Sequence, residues 1–176
     1  MRLTKKEIVR FIITGLLIVA AAVIASLTIG RDIYYGSRDQ GLLSFAIVNF
    51  SGYLFFLFMP VEIAFVYYLT GEVNIFALNA VAIGTAIASE SIDYLIGLYF
   101  SKDVISRLIG TRRYVKAESR IRKYGNIVIF FFNVTPLSSP VISLAAGMIR
   151  HRVKDALIFT ISGLIIKYFI LTWIFR

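Results

Sequence analysis

The sequence has no cysteine and only one histidine among its 176 residues. Without cysteine the chain can form no disulfide, thiolate metal site, iron–sulfur cluster or cysteine nucleophile. The lone histidine, His151, excludes a histidine-rich metal site and argues against most histidine-based catalysis. We therefore expect no metal and no cofactor, and we do not expect an enzyme.

Charged residues are also scarce. Charged residues make up 16% of the chain, whereas they make up about 25% of a soluble domain. Hydrophobic residues make up 59%, against about 45–50% in a soluble domain. Mean hydropathy is +0.81. These values exclude disordered, fibrous and ordinary cytosolic proteins and predict an integral membrane protein. The net charge of +9 comes from basic residues that border apolar runs, which favours anionic lipid head groups over nucleic acid as partners.

Three long apolar runs predict transmembrane helices. Residues 11–29 carry no charge and approach the roughly 20 residues that cross a bilayer. Basic residues precede them, as in a signal peptide, but the run is longer than the about 7–15 apolar residues of a signal peptide. An uncleaved first span is therefore favoured. Further spans are predicted at 73–100 and 155–175.

Two other apolar runs contain a proline and polar residues near their middle. Residues 42–70 are broken by Pro60 and Glu62, and residues 127–149 by the sequence NVTPLSSP at 133–140. Proline removes a backbone donor, and at membrane depth such a break is tolerated only where protein or trapped water satisfies the backbone. We predict that each run enters the bilayer and turns back.

The distribution of basic residues predicts the topology. The N-terminus, 101–125 and 150–154 are rich in Lys and Arg, and such loops stay cytoplasmic. The balanced loop at 30–41 is then external, so 42–70 starts and finishes outside and 127–149 inside. The predicted fold is an all-α integral membrane protein with two opposed re-entrant helical hairpins in an inverted repeat. The alternative is a plain five- or six-helix bundle in which both prolines are kinks.

The predicted domains are an N-terminal helix with its external loop at 1–41 and a second domain at 42–176. Residues 101–125 contain eight basic and two acidic residues, with apolar residues near helical spacing. They predict one or two amphipathic helices on the membrane surface; the alternative is a solvated helical loop. The basic surface residues are Arg112, Arg113, Lys116, Arg120, Arg122 and Lys123.

Four ionisable residues fall within the apolar segments: Glu62, Glu90, Asp93 and Lys167. Ionisable groups at membrane depth are costly and are usually functional. Three acids and one base near one cavity cannot all be neutralised by pairing, so at least one acid should be protonatable near neutral pH. This suits proton coupling. The alternative is that Lys167 pairs with one acid only to close the helix bundle.

The second break adds Asn133, Thr135, Pro136 and Ser139 to the predicted pathway for substrate and protons. Their polar groups, and backbone amides freed by proline, could bind phosphate oxygens. Alternatively, the hydroxyls satisfy the backbone of their own hairpin. Small residues should allow close helix packing; they include Gly84, Ala86, Ser89, Ala145, Ala146 and Gly147.

Three blocks in 42–176 resemble the DedA family, also called the VTT or SNARE-associated Golgi protein domain. They are Pro60-Val61-Glu62, then Glu90 with Tyr94 and Gly97, then Pro136 followed by Ala146-Gly147-Met148. At two positions where the family has arginine, this chain has Asn133 and Ser139.

The resemblance implies opposed re-entrant hairpins and movement of lipids between leaflets. Bacterial members are linked to undecaprenyl phosphate recycling or phospholipid flipping, often with proton dependence, and eukaryotic relatives to scrambling. The two family arginines would be natural phosphate ligands, and Lys167 or Arg150 could substitute for them here.

The sequence thus predicts a flippase or scramblase whose partners are phosphate-bearing membrane lipids, with protons as a candidate coupling ion. We expect a multi-pass protein of the plasma membrane with a cytoplasmic N-terminus, and a homo-oligomer is compatible with the sequence. Two alternatives stay open. One is a proton- or cation-coupled transporter of small solutes, and the other is a membrane assembly factor that transports nothing.

Overall fold

The computed structural model describes residues 41–54, 61–71, 73–99, 110–135 and 139–176. Over these ranges the chain forms seven α-helices and no strand, which confirms the all-α prediction. The predicted span at 11–29, Pro60 and Pro136 lie outside the described residues. The helices are α1 (Leu42–Tyr53), α2 (Val61–Leu69), α3 (Ile75–Tyr99), α4 (Thr111–Tyr124), α5 (Asn126–Val134), α6 (Ser139–Met148) and α7 (Val153–Phe175).

Helices α3 and α7 are the two described helices that are long and apolar enough to cross a membrane. They contain 25 and 23 residues and coincide with the predicted spans. They run antiparallel, because Asn79 near the start of α3 hydrogen-bonds Thr172 near the end of α7 (3.0 Å). Their outer sides carry large apolar side chains: Phe76, Phe169 and Trp173 are 86%, 71% and 81% exposed. Such a surface is suited to lipid.

In the described residues, each broken apolar run contains two short helices. In the first, the Ser44 hydroxyl in α1 hydrogen-bonds the Tyr68 hydroxyl in α2 at 2.7 Å, so the start of α1 lies beside the end of α2. Helix α1 packs on α3 and α2 packs on α7. In the second run, α5 packs on α7 and α6 packs on α3.

Helices α3 and α6 touch through glycines. A Cβ added to Gly97 would lie 2.1 Å from the Leu144 carbonyl oxygen, and one added to Gly147 would lie 2.0 Å from that of Tyr94. No side chain fits there. The predicted packing role of Gly147 is therefore confirmed. That of Gly84 is wrong, because an added Cβ there meets nothing within 4 Å.

Helix α4 is amphipathic, as predicted for this part of 101–125. Tyr114, Ala117 and Ile121 form its buried face, which packs on α5 and α6. These three residues are thus covered by protein, whereas Val115 and Tyr124 of the same helix are exposed. Gly125 separates α4 from α5 with φ of +61°, a left-handed conformation that glycine adopts without strain. The chain can therefore turn sharply from the basic helix into the apolar one.

Candidate functional site

Glu90 lies near the middle of α3 and is 3% exposed. Its Oε2 accepts hydrogen bonds from the hydroxyls of Ser143 (2.9 Å) and Thr160 (3.4 Å). Its Oε1 has no hydrogen-bond partner among the described residues. The side chains of Ser139 and Asn133 also act on the carboxyl group. The hydrogen-bonding neighbours of this acid are therefore neutral, and the Lys167 ammonium, which is paired with Glu62, acts on it only electrostatically.

A cavity of about 180 Å³ lies beside Glu90, between the second half of α3 and the first half of α7. Two of its lining residues, Leu95 of α3 and Val153 of α7, are 41% and 48% exposed, so part of the cavity wall reaches the surface of the described structure. Most of its wall is apolar. The lining residues are Glu90, Ser91, Tyr94, Leu95, Ile129, Ser143, Ala146, Val153, Ala156, Leu157 and Thr160.

Glu62 and Lys167 form an ion pair between α2 and α7. The Lys167 Nζ lies 3.1 Å from the Glu62 Oε1. The Lys167 side chain is 4% exposed and the Glu62 side chain is 22% exposed. The ammonium also lies 5.1 Å from the centroid of the Tyr53 ring, a cation–π contact. Lys167 therefore pairs with one acid, as in the alternative that the sequence left open. Glu62 and Lys167 do not line the Glu90 cavity.

A buried hydrogen-bond network adjoins the ion pair, and sequence reasoning did not identify its members. The Tyr168 hydroxyl lies 3.0 Å from the Asn49 Oδ1 and 3.2 Å from the Tyr53 hydroxyl. The Asn49 amide nitrogen donates to the Thr85 hydroxyl at 2.8 Å. An amide within an apolar run is costly unless it is hydrogen-bonded, so Asn49 carried the same signal as Asn133. Ser143 and Thr160 were missed because isolated hydroxyls are common in membrane helices.

The two carboxylates occupy neighbouring places in the molecule. Both Glu62 and Glu90 act electrostatically on the Tyr53 and Tyr168 hydroxyls. On α7, the Glu90 contact Thr160 and the Glu62 partner Lys167 are separated by seven residues, about 10 Å along a helix. The described residues thus place two differently constructed acidic sites close together along α7, one with α3 and the other with α2.

The other predicted pathway residues have different surroundings. Asp93 is fully buried in α3. Asn133 is also fully buried, and its amide nitrogen donates to Ile129 O (3.0 Å) and to the Thr160 hydroxyl (3.4 Å). Thr135 donates to Phe131 O at 2.7 Å, so its hydroxyl satisfies the backbone of its own helix.

The six predicted basic surface residues all lie on α4. Arg120 is partly buried and the other five are exposed. Arg122 bonds Glu118 at 3.0 Å. Burial, together with the Glu118 carboxylate, raises the pKa of Tyr114 to about 12, so this buried tyrosine stays neutral beside the cations. Within the described ranges, no group of three or more acidic or histidine side chains could hold a metal ion.

Comparison with known proteins adds one finding. Residues 42–176 match the family model described as the VTT domain. Neither the search of curated proteins nor the search of solved structures returned a match. The matched range includes every helix described above and both acidic sites.

Proposed function

Because this chain belongs to the VTT domain family, the family of the DedA membrane proteins, we propose that it moves phospholipid or polyprenyl phosphate between the two leaflets of the bilayer. The head group would travel past Glu90, and the acyl or prenyl chains would stay in the surrounding lipid.

The observation that carries this proposal is the position of the cavity. Among the described residues, Glu90 lines it together with Leu95 of α3 and Val153 of α7, which are partly exposed, so the cavity reaches the surface between these helices. These are the two helices with the length and composition of membrane spans. A transporter of small polar solutes needs a watery vestibule that is closed to lipid, whereas a lipid needs a lateral opening of this kind. The opening therefore favours lipid over small solutes.

The packing of the short helices supports two opposed hairpins that re-enter the bilayer. The first helix of each pair packs on the span that follows it, and the second packs on the other span. Asn49 of α1 bonds Thr85 of α3 as Asn133 of α5 bonds Thr160 of α7. These corresponding contacts are expected of an inverted repeat, whose centre would lie near Glu90 and Lys167.

The surroundings of Glu90 favour proton coupling. A phosphate brought beside an ionised carboxylate is repelled, whereas a protonated carboxyl group accepts it and can donate a hydrogen bond. Entry of an anionic head group and uptake of a proton at Glu90 would therefore favour each other. Ser143, Thr160 and Asn133 could then bond the phosphate, while Lys167 remains paired with Glu62.

A liposome assay tests the proposal. Purified protein is reconstituted with a trace of fluorescent phospholipid or polyprenyl phosphate, and exchange is followed by quenching the outer leaflet between about pH 5 and pH 8. We expect the protein to accelerate exchange with a pH dependence that Glu90→Gln removes. Glu118→Gln, an acid outside the cavity, is the matched control. No acceleration for either lipid at any pH would refute the proposal.

Labelling in whole cells tests the proposed topology. Because the sequence contains no cysteine, each introduced cysteine is the only thiol of the protein that can react. Single cysteines replace Gly41, Thr70 and Ser119, which lie before α1, after α2 and on α4. Opposed hairpins require Gly41→Cys and Thr70→Cys to react with an impermeant reagent from outside and Ser119→Cys only after permeabilisation. Labelling of Gly41→Cys and Thr70→Cys from different sides would contradict a hairpin.

A further inference from the structure

A second cavity lies between α4, α5 and α6. It has a volume of about 180 Å³, and three of its lining residues, Arg113, Lys116 and Arg120, are basic. The rest of the lining is apolar: Ala117, Phe132, Val141 and Ile142. In the part of the chain that the structure describes, it shares no lining residue with the Glu90 cavity, so the two cavities are treated as separate sites.

An adjoining apolar hollow of about 300 Å³ extends this cavity along α5. Arg120 and Phe132 line both spaces, and the Arg120 guanidinium lies 5.5 Å from the centroid of the Phe132 ring. Ile127 and Phe131 line the hollow and are each 58% exposed. The combined groove is therefore cationic at one end and apolar along the other.

Its charge is strongly of one sign. Helix α4 carries six basic residues and one acid, and that acid, Glu118, bonds Arg122. Of the described residues that line the cavity or the hollow, none is acidic. Clustered Lys and Arg bind phosphate groups, and the exposed apolar wall offers nothing to a free ion. A ligand that fits both parts has an anionic head and a hydrocarbon tail.

We propose that this groove binds an anionic phospholipid of the adjoining leaflet. Its phosphate would contact Arg113, Lys116 and Arg120, and one acyl chain would lie along Phe132 and Phe131. This lipid is held as a bound partner and is not the transported substrate, so the inference goes beyond the proposed function.

Spin-labelled lipids in reconstituted membranes of neutral phosphatidylcholine test the proposal. The measurement is the association of labelled phosphatidylglycerol relative to labelled phosphatidylcholine. It is made at about 0.5 M salt, where charges more than several ångströms apart are screened. We expect the triple variant R113Q/K116Q/R120Q to lose the preference by about tenfold or more, because it removes all three cations that would contact the phosphate directly.

The matched control is R112Q/R122Q/K123Q, which removes the same charge from the same helix at positions that do not line the groove. It should keep most of the preference. Equal losses in both variants would show a diffuse basic surface and overturn the site, as would a wild-type protein without preference. Millimolar glycerophosphate that displaces the labelled lipid completely would assign the groove to a soluble phosphate instead. Transport measured in parallel is independent of either outcome.

Discussion

The molecule contains two neighbouring acids in different surroundings, Glu62, which is partly exposed, and Glu90, which is buried. Glu62 is held by a lysine ammonium at 3.1 Å, whereas Glu90 is held by two hydroxyls, with one carboxylate oxygen left without a partner among the described residues. Glu62 is one partner of the ion pair that joins α2 to α7. Glu90 faces an open cavity.

This difference indicates that one acid stabilises the fold and the other can take part in proton exchange. An ion pair stabilises the charged forms of both groups, so neither the carboxylate nor the ammonium tends to change its protonation state. Removing one partner leaves the other with an uncompensated charge. A carboxyl group among neutral hydrogen-bond donors can hold or release a proton as its surroundings change. We therefore assign the closing of the bundle to Glu62 and Lys167, and proton exchange to Glu90.

The largest expected effect comes from breaking the ion pair. Lys167→Met should lower the free energy of unfolding by about 3–5 kcal/mol, because Glu62 is then left without its cation. Denaturant unfolding in detergent measures the loss. The double variant Glu62→Leu/Lys167→Met should recover most of it, since an apolar pair avoids the desolvation cost. A double variant as unstable as Lys167→Met would contradict a purely structural pair.

A somewhat smaller effect is expected from Gly97→Ala, which acts on the other acid. The new methyl group would meet the Leu144 carbonyl and push α6 away from α3. That movement separates Ser143 from Glu90. We expect a loss of about 2–3 kcal/mol in the free energy of unfolding, together with reduced lipid exchange.

Gly84→Ala is the control for that prediction, since it lies on the same helix with open space around it. It should stabilise the protein by up to about 1 kcal/mol, because alanine favours the helix. If both substitutions behaved alike, the α3–α6 contact would not be what holds the Glu90 site together.

Part of this comparison was visible in the sequence. The long apolar runs predicted α3 and α7, and the prolines predicted that 42–70 and 127–149 would each divide. The cost of charge in lipid singled out Glu62, Glu90 and Lys167. The sequence could not show which acid pairs with Lys167, because the pairing depends on the packing of α2 against α7, and Glu62 and Lys167 are 105 residues apart in the chain.

The hydroxyls of the site were the least predictable part. Thr135 stands in the polar break yet bonds its own backbone, whereas Thr160 and Ser143 stand in apolar stretches and reach Glu90. Whether a hydroxyl turns to its own helix or to a neighbour depends on what packs against it. The apolar face of α4 shows the same limit, because an amphipathic pattern does not reveal whether lipid or protein covers it.

The smallest change in stability is expected from the substitution with the largest effect on transport. Glu90→Gln keeps the size of the side chain and still accepts a hydrogen bond from Ser143. No bound cation is left uncompensated, so the free energy of unfolding should change by no more than about 1 kcal/mol. Exchange of anionic lipid should lose its pH dependence, because the neutral amide cannot release a proton. Measuring stability and lipid exchange on one preparation distinguishes the structural role assigned to Glu62 from the proton-exchange role assigned to Glu90. A loss above about 3 kcal/mol with unchanged pH dependence would make Glu90 a second structural acid and end the distinction from Glu62.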